Sequence, residues 1–169
     1  MWGSSSNVVS DRLKCDRLMA LIYLGLGSNI ERHRHIRMAL DKLKQSFGKL
    51  QISSVYESEA IGFKGGLFYN LAVGIHSELA IAEVVGILKD IEDHSGRDRT
   101  ISGSVSVSLD IDILTVDDLV GEFDGIALPR DGLLKHLFVL QPLAELAPEM
   151  IHPITGKRYR DHWQAHNKT

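Results

Sequence analysis

The stretch Val105-Ser106-Val107-Ser108-Leu109-Asp110-Ile111-Asp112-Ile113 alternates without a break. Valine, leucine and isoleucine hold the odd positions, serine and aspartate the even ones, so an extended chain sets an apolar row on one face and a polar row on the other. The pattern predicts a half-buried β-strand with an open polar face. It also places the carboxylates of Asp110 and Asp112 on the same side, about 6.6 to 6.8 Å apart at Cα.

Outward from that strand the periodicity changes. Upstream, Ile81, Val84, Val85, Leu88 and Ile91 recur at helical spacing and Gly96 supplies a stop. Phe68 to His76 reads as a strand, and so do Ile52, Val55 and Tyr56 beyond a glycine-bearing loop at Gly62, Gly65 and Gly66. Ile36, Ala39, Leu40, Leu43 and Phe47 put one apolar stripe on a helix ending near Gly48, with Ser28 and Asn29 offering an N-cap and Glu31 in the first turn. Ala20 to Gly27 is a short apolar run ended by glycine, the mark of a buried strand. Downstream, Leu128-Pro129 leads into a polar turn, followed by the apolar stretch Leu137 to Leu140 and a short helix around Leu143 to Leu146. The order is β-α-β-β-α-β, which predicts an α+β, ferredoxin-like antiparallel sheet with helices on one face and a C-terminal extension.

Composition bounds the function. In 169 residues, 19 Lys and Arg stand against 22 Asp and Glu, for a formal net charge of −3, so no global positive field gathers nucleic acid or an anionic membrane. No apolar run approaches the roughly 20 residues of a membrane span, and one cysteine, Cys15, forms no intramolecular disulfide. A cytoplasmic protein is expected. Residues 1–19 lack an apolar signal core and read as a poorly ordered extension, with Met19 a plausible internal start; residues 20–160 read as a single domain and 161–169 as a polar tail.

Two carboxylates on one strand face can share hard cations, magnesium above all, with neighbouring ions about 3.5 to 4 Å apart bridging phosphate oxygens. The plainer alternative is a solvated strand face. Gly96-Arg97-Asp98-Arg99 stands at the end of the second helix, just before those acids. Carboxylates for a metal and guanidinium forks for phosphate oxygens make a kit for a metal-bound polyphosphate, although basic groups also complement a helix C-terminus. Glu92, one turn earlier, can orient an arginine or remain a solvated acid. Phe68-Tyr69-Asn70 and Phe138 suit a flat heterocycle, with aromatic rings on its faces and an amide at its polar edge; packing in the core is the alternative for both phenylalanines. Gly25-Leu26-Gly27-Ser28-Asn29 lacks the spacing of a phosphate loop and reads as a tight strand-to-helix turn. His33 and His35 read as a solvated helix face, and His162 with His166 as part of the polar tail, without the acids or cysteines that complete a zinc site.

In order, these segments resemble the 6-hydroxymethyl-7,8-dihydropterin pyrophosphokinase family. The stretches that carry the resemblance are Tyr23-Leu24-Gly25-Leu26-Gly27-Ser28-Asn29, Ser54-Val55-Tyr56-Glu57-Ser58, and Phe68-Tyr69-Asn70-Leu71-Ala72-Val73. They continue with Ile91-Glu92, Gly96-Arg97-Asp98-Arg99, Leu109-Asp110-Ile111-Asp112-Ile113-Leu114, and Phe138 through Pro148. The resemblance implies transfer of pyrophosphate from ATP to a pterin alcohol in folate biosynthesis, giving AMP and the pterin diphosphate. It implies two magnesium ions held with ATP by Asp110 and Asp112, and a catalytic set of those acids with Arg97 and Arg99. ATP contacts fall on Glu92, Arg97, Ile113, Arg130 and His136, and pterin contacts on Ser58, Ile61, Phe68, Asn70 and Phe138. A monomer, at most weakly dimeric, with no nucleic-acid or membrane partner is expected.

The chain departs from the family's pattern in three places, one of them the pterin loop, where the family's Ser/Thr-Pro becomes Ser58-Glu59. Thr100 to Ser108 carries no charge, where the family has further basic residues and a tryptophan, and the family's Pro-His and a later arginine become Pro129-Arg130 and His136. One transition-state arginine is worth about 10³ to 10⁵ in rate, so the alternative is a catalytically impaired pterin- or nucleotide-binding protein on the same fold.

Overall fold

The computed structural model describes residues 19–59, 66–97 and 107–168. Its elements run β1 (Ala20–Ser28), α1 (Arg32–Phe47), β2 (Gln51–Ile52), β3 (Tyr56–Ser58), β4 (Phe68–Ser77), α2 (Ile81–His94), β5 (Asp110–Val116), β6 (Gly121–Phe123), β7 (Ile126–Leu128), α3 (Leu137–Leu146) and α4 (Tyr159–Asn167). β1 is central, antiparallel to β4 on one side and to β5 on the other, while β2 and β3 both pair with β4. The second predicted strand is thus two short ones. Between them the Ala72 amide donates to the Ser53 hydroxyl at 2.8 Å, and the Ser53 amide to the Ala72 carbonyl at 3.0 Å, so both amides stay paired across the break.

Alternation along the central strands sorts the molecule into layers. Ile22, Leu24, Leu26, Leu71, Val73, Ile75, Ile111 and Ile113 face one way and bury against Ile36, Ala39 and Leu43 of α1 and Val84, Leu88 and Ile91 of α2. Each such side chain contributes roughly 1.5–3 kcal/mol of burial. The other face is not bare. Tyr23 and Leu114 pack there with Leu140, Leu143 and Ala144 of α3 and Tyr159 of α4. The expected C-terminal extension therefore forms a second helical layer, which corrects the expectation of helices on one face only. Residues 161–167, expected to lie in a polar tail, belong to α4, which Tyr159 and Trp163 anchor at i,i+4 spacing. Leu137 to Leu140 and Leu143 to Leu146 likewise form one helix, α3, which includes Pro142.

Three local expectations change. Of the predicted strand Val105 to Ile113, Val105 and Ser106 lie outside the described residues, and β5 begins at Asp110 because Val107 and Ser108 spend their backbone groups outside the β-ladder. The Asn29 amide donates to the Val107 carbonyl at 3.0 Å, the Val107 amide to Asn29 Oδ1 at 2.6 Å, and the Ser28 hydroxyl to the Ser108 carbonyl at 2.6 Å. Ser28 and Asn29 therefore tie down the approach to β5 instead of capping α1, whose N-cap is Glu31 in a left-handed conformation. His35 is buried, its Nδ1–H donating to the Ile30 carbonyl at 2.7 Å, whereas His33 is exposed as expected. Among the described residues no helix is long and apolar enough to cross a membrane.

Candidate active site

On the face of the sheet that carries α3, β1 presents Gly25 and Gly27. Gly25 lies between Ala72 and Asp112, and Gly27 between Asn70 and Asp110. A strip without side chains thus runs between an amide on one strand and two carboxylates on the other. A Cβ on Gly27 would sit 3.4 Å from Asn70 Oδ1 and 3.7 Å from Phe68 Cδ1, so Gly27 opens space that a ligand can enter, while at Gly25 Leu114 Cδ2 comes within 3.2 Å of the same position. The result is a cavity of about 280 Å³ floored by Gly25 and Gly27 and bordered by Ser58, Phe68, Asn70, Phe138 and Val139 on one side and Arg97, Asp110, Asp112 and Arg130 on the other. These two glycines, read from sequence as a ligand-free turn, belong to the site. Their signal was legible: on a strand, glycine at every second position leaves one face bare.

The two ends differ in chemistry. At the first, Phe68 and Phe138 are half-buried cavity walls instead of core, and Asn70 Nδ2 donates to Ser58 Oγ at 2.7 Å. At the second, Arg97 reaches back from the end of α2. Its Nη1 donates to Asp110 Oδ1 at 2.7 Å, to the Leu109 carbonyl at 3.2 Å and to Glu92. Glu92 is thus a buried partner of the arginine, one of the two roles open to it.

Arg130 arrives by a different route. The ladder between β1 and β5 passes from Leu24–Ile113 to Tyr23–Thr115, leaving Leu114 as the extra residue of a bulge. Its carbonyl accepts the Arg130 amide at 2.8 Å, and Arg130 Nη1 then lies 3.2 Å from Asp112 Oδ1. Among the described residues, each aspartate is therefore faced by one arginine. Burial, followed by the charge of Asp110 and a hydrogen bond with it, pushes the Asp112 carboxyl up to about 7, against the pull of Arg130. A hard cation held between the two carboxyl groups would offset the charge repulsion that raises Asp112. Among the described residues no three His, Cys, Asp or Glu side chains converge as a ready-made cage, so a cation here needs oxygen ligands from elsewhere.

Two expected ATP contacts stand apart. The Ile113 side chain is in the core beneath α1 and α2, because it alternates with Asp112 across the sheet. His136 is exposed, precedes α3 as its N-cap and stacks on Phe138, with ring centroids 5.3 Å apart. Ile61 and Arg99 lie outside the described residues. Val107, Leu114 and Val139 line the cavity without having been expected, since only the fold brings them there.

Comparison with known proteins shows the family. The family model described as 7,8-dihydro-6-hydroxymethylpterin-pyrophosphokinase (HPPK) matches residues 23–148. A 2-amino-4-hydroxy-6-hydroxymethyldihydropteridine pyrophosphokinase of Aquifex aeolicus is 36% identical over 145 residues, covering 85% of this chain and 90% of that protein. The protein of the same description from Bacillus subtilis is 31% identical, with 77% of this chain and 80% of that protein covered. In structure, the chain is similar to a crystallised Plasmodium falciparum HPPK-DHPS, with a TM-score of 0.68 at 14% identity over 89% of this chain. It spans only 44% of that longer protein. By the family match and the identities over most of its length, the chain belongs to the 7,8-dihydro-6-hydroxymethylpterin-pyrophosphokinase family.

Proposed function

We propose that this chain transfers the β,γ-pyrophosphoryl group of ATP to the hydroxymethyl oxygen of 6-hydroxymethyl-7,8-dihydropterin, a step of folate synthesis. The observation that carries the reading is one cavity with an aromatic and amide end and a paired-carboxylate end, joined by a glycine floor. The names of the bacterial relatives support the same substrates. The sheet order, with β1 and β4 central and α1 and α2 on one face, supports a ferredoxin-like core over residues 20–160.

The pterin ring lies between Phe68 and Phe138, with the Asn70 amide, held by Ser58, at its polar edge. Asp110 and Asp112 would hold magnesium, two ions with ATP, the remaining ligands being phosphate oxygens and water. Bound there, the metal neutralises the charge of the transferring phosphates. Arg97 and Arg130, now paired with the carboxylates, turn guanidinium donors toward the phosphate oxygens. The hydroxymethyl oxygen attacks the β-phosphorus and loses its proton, while the bond from that phosphorus to the oxygen bridging the α-phosphate breaks and AMP leaves. Holding both substrates in one cavity supplies most of the acceleration, since such transfers depend on positioning and charge stabilisation. Arg130 supplies positive charge from outside the uncharged segment Thr100 to Ser108, which supports a working enzyme over an impaired binding protein. The reading includes a monomer in the cytoplasm without nucleic-acid or membrane partners, in keeping with the net charge of −3.

The test is AMP formation from ATP and magnesium, with and without the pterin, in the wild-type protein and in Asp110→Asn. Pterin-dependent AMP that disappears in the variant is expected. Pterin binding without AMP in the wild type would instead make the chain a binding protein.

A further inference from the structure

Phe138 and Glu145 lie seven residues apart on α3, about two helical turns, and therefore on the same face. Phe138 enters the cavity; Glu145 reaches the short edge strand opposite. The Ser54 amide donates to both of its carboxylate oxygens, at 3.2 and 3.1 Å, the Ser54 hydroxyl to Oε1 at 2.7 Å, and the Tyr56 hydroxyl to Oε2 at 2.7 Å. Desolvation pushes this carboxyl up, yet the bonds from Tyr56 and Ser54 outweigh it and hold it below its ordinary value, in the ionised state the contact needs.

What this contact fastens is one wall of the cavity. β3 is only three residues long and pairs with β4 alone, Tyr56 opposite Asn70 and Ser58 opposite Phe68. Ser58 accepts the Asn70 amide, so any drift of β3 moves the hydrogen-bonding wall away from Phe138. We propose that Glu145 is a positioning residue that sets the width of the pterin end of the cavity by fastening β3 to α3. The inference rests on the pterin assignment above and adds a determinant of affinity that touches neither substrate. A fixed width matters because a flat ring gains stacking contact only when both walls meet it together.

The experiment is steady-state AMP formation, varying each substrate in turn, for Glu145→Ala, Glu145→Gln, Tyr56→Phe and the Glu145→Ala/Tyr56→Phe pair, with hydrogen exchange at the β3 amides that bond to β4. Glu145→Ala is expected to raise KM for the pterin about tenfold, the size of a lost charge-assisted hydrogen bond, and to leave KM for ATP nearly unchanged. Glu145→Gln keeps one acceptor oxygen and restores part of the loss. Tyr56→Phe adds little in the Ala background, because its partner is already gone. A pterin KM within about twofold of wild type in Glu145→Ala, or an equal rise for both substrates, overturns the proposal. Should Glu145→Ala fail to fold, the single Tyr56→Phe variant carries the same comparison with a smaller expected rise. If the wild type makes no pterin-dependent AMP, the functional reading fails by itself. The fastening is then decided by exchange, faster at the β3 amides that bond to β4 in Glu145→Ala if it exists and unchanged if it does not.

Discussion

Substituting Gly27→Ala tests whether a ligand ring lies on the glycine floor. The added Cβ would stand 3.4 Å from Asn70 Oδ1, 3.7 Å from Phe68 Cδ1 and 3.9 Å from the Tyr69 carbonyl, all ordinary contact distances. The fold should accept it, and replacing glycine gains about 0.4–1 kcal/mol from a less flexible unfolded chain. A bound ring has no such freedom. A methyl forced into a filled apolar space costs about 1–3 kcal/mol. At about 1.4 kcal/mol per factor of ten, pterin affinity should fall about 5- to 150-fold while the melting midpoint holds or rises. Calorimetric titration with 6-hydroxymethyl-7,8-dihydropterin and a thermal melt of each protein measure both quantities. An unchanged dissociation constant in a variant that melts normally would show that the ring does not lie over β1, and the cavity assignment would fail.

Leu140→Ala removes a fully buried side chain by which α3 packs on the sheet. It should cost about 2–5 kcal/mol, or about 4 to 20 °C in melting midpoint by calorimetry, and a smaller shift would contradict α3 as a packed layer. His152 gives a pH dependence: it is buried, and its Nδ1 accepts the Ile154 and Thr155 amides, each at 3.3 Å. Burial and the neighbouring His162 hold it below its ordinary value of 6.5. Below that pH the unfolded chain binds a proton that the folded His152 refuses, so stability should fall as pH drops from 6.5 toward the folded value. Denaturant titrations across that window should show a shallower slope in His152→Asn, which keeps an acceptor oxygen but cannot titrate; His162, also lowered, adds a remaining slope of the same sign.

The parts of the site that sequence exposed are those set by local period. Asp110 and Asp112 share a face because successive side chains on a strand alternate, and no distant residue is needed to know it. The stripes of α1 and α2 were legible for the same reason at a period of 3.6. Alternation places Val107 to Leu109 in the strand, which begins only at Asp110, because alternation reports which side chains face together, not whether the backbone has a ladder partner. At Val107 and Ser108 the partners are Asn29 and Ser28, about 80 positions away in chain order. α4 was missed because its polar composition masked two anchors, Tyr159 and Trp163.

By itself the sequence determined the paired acids, the helices under the sheet, the aromatic and amide residues of one wall, and the family they match. Tertiary structure decided how those pieces face one another. Arg97 bridges Glu92 and Asp110; Arg130 reaches Asp112 through a carbonyl freed by the bulge at Leu114; Glu145 holds Ser54 and, in β3, Tyr56, 91 and 89 positions earlier. Apart from the Arg97–Glu92 pair, which is local, each is a contact between groups well separated in the chain. No local pattern encodes such a contact, because it exists only after the sheet has set its register and α3 has closed over the second face.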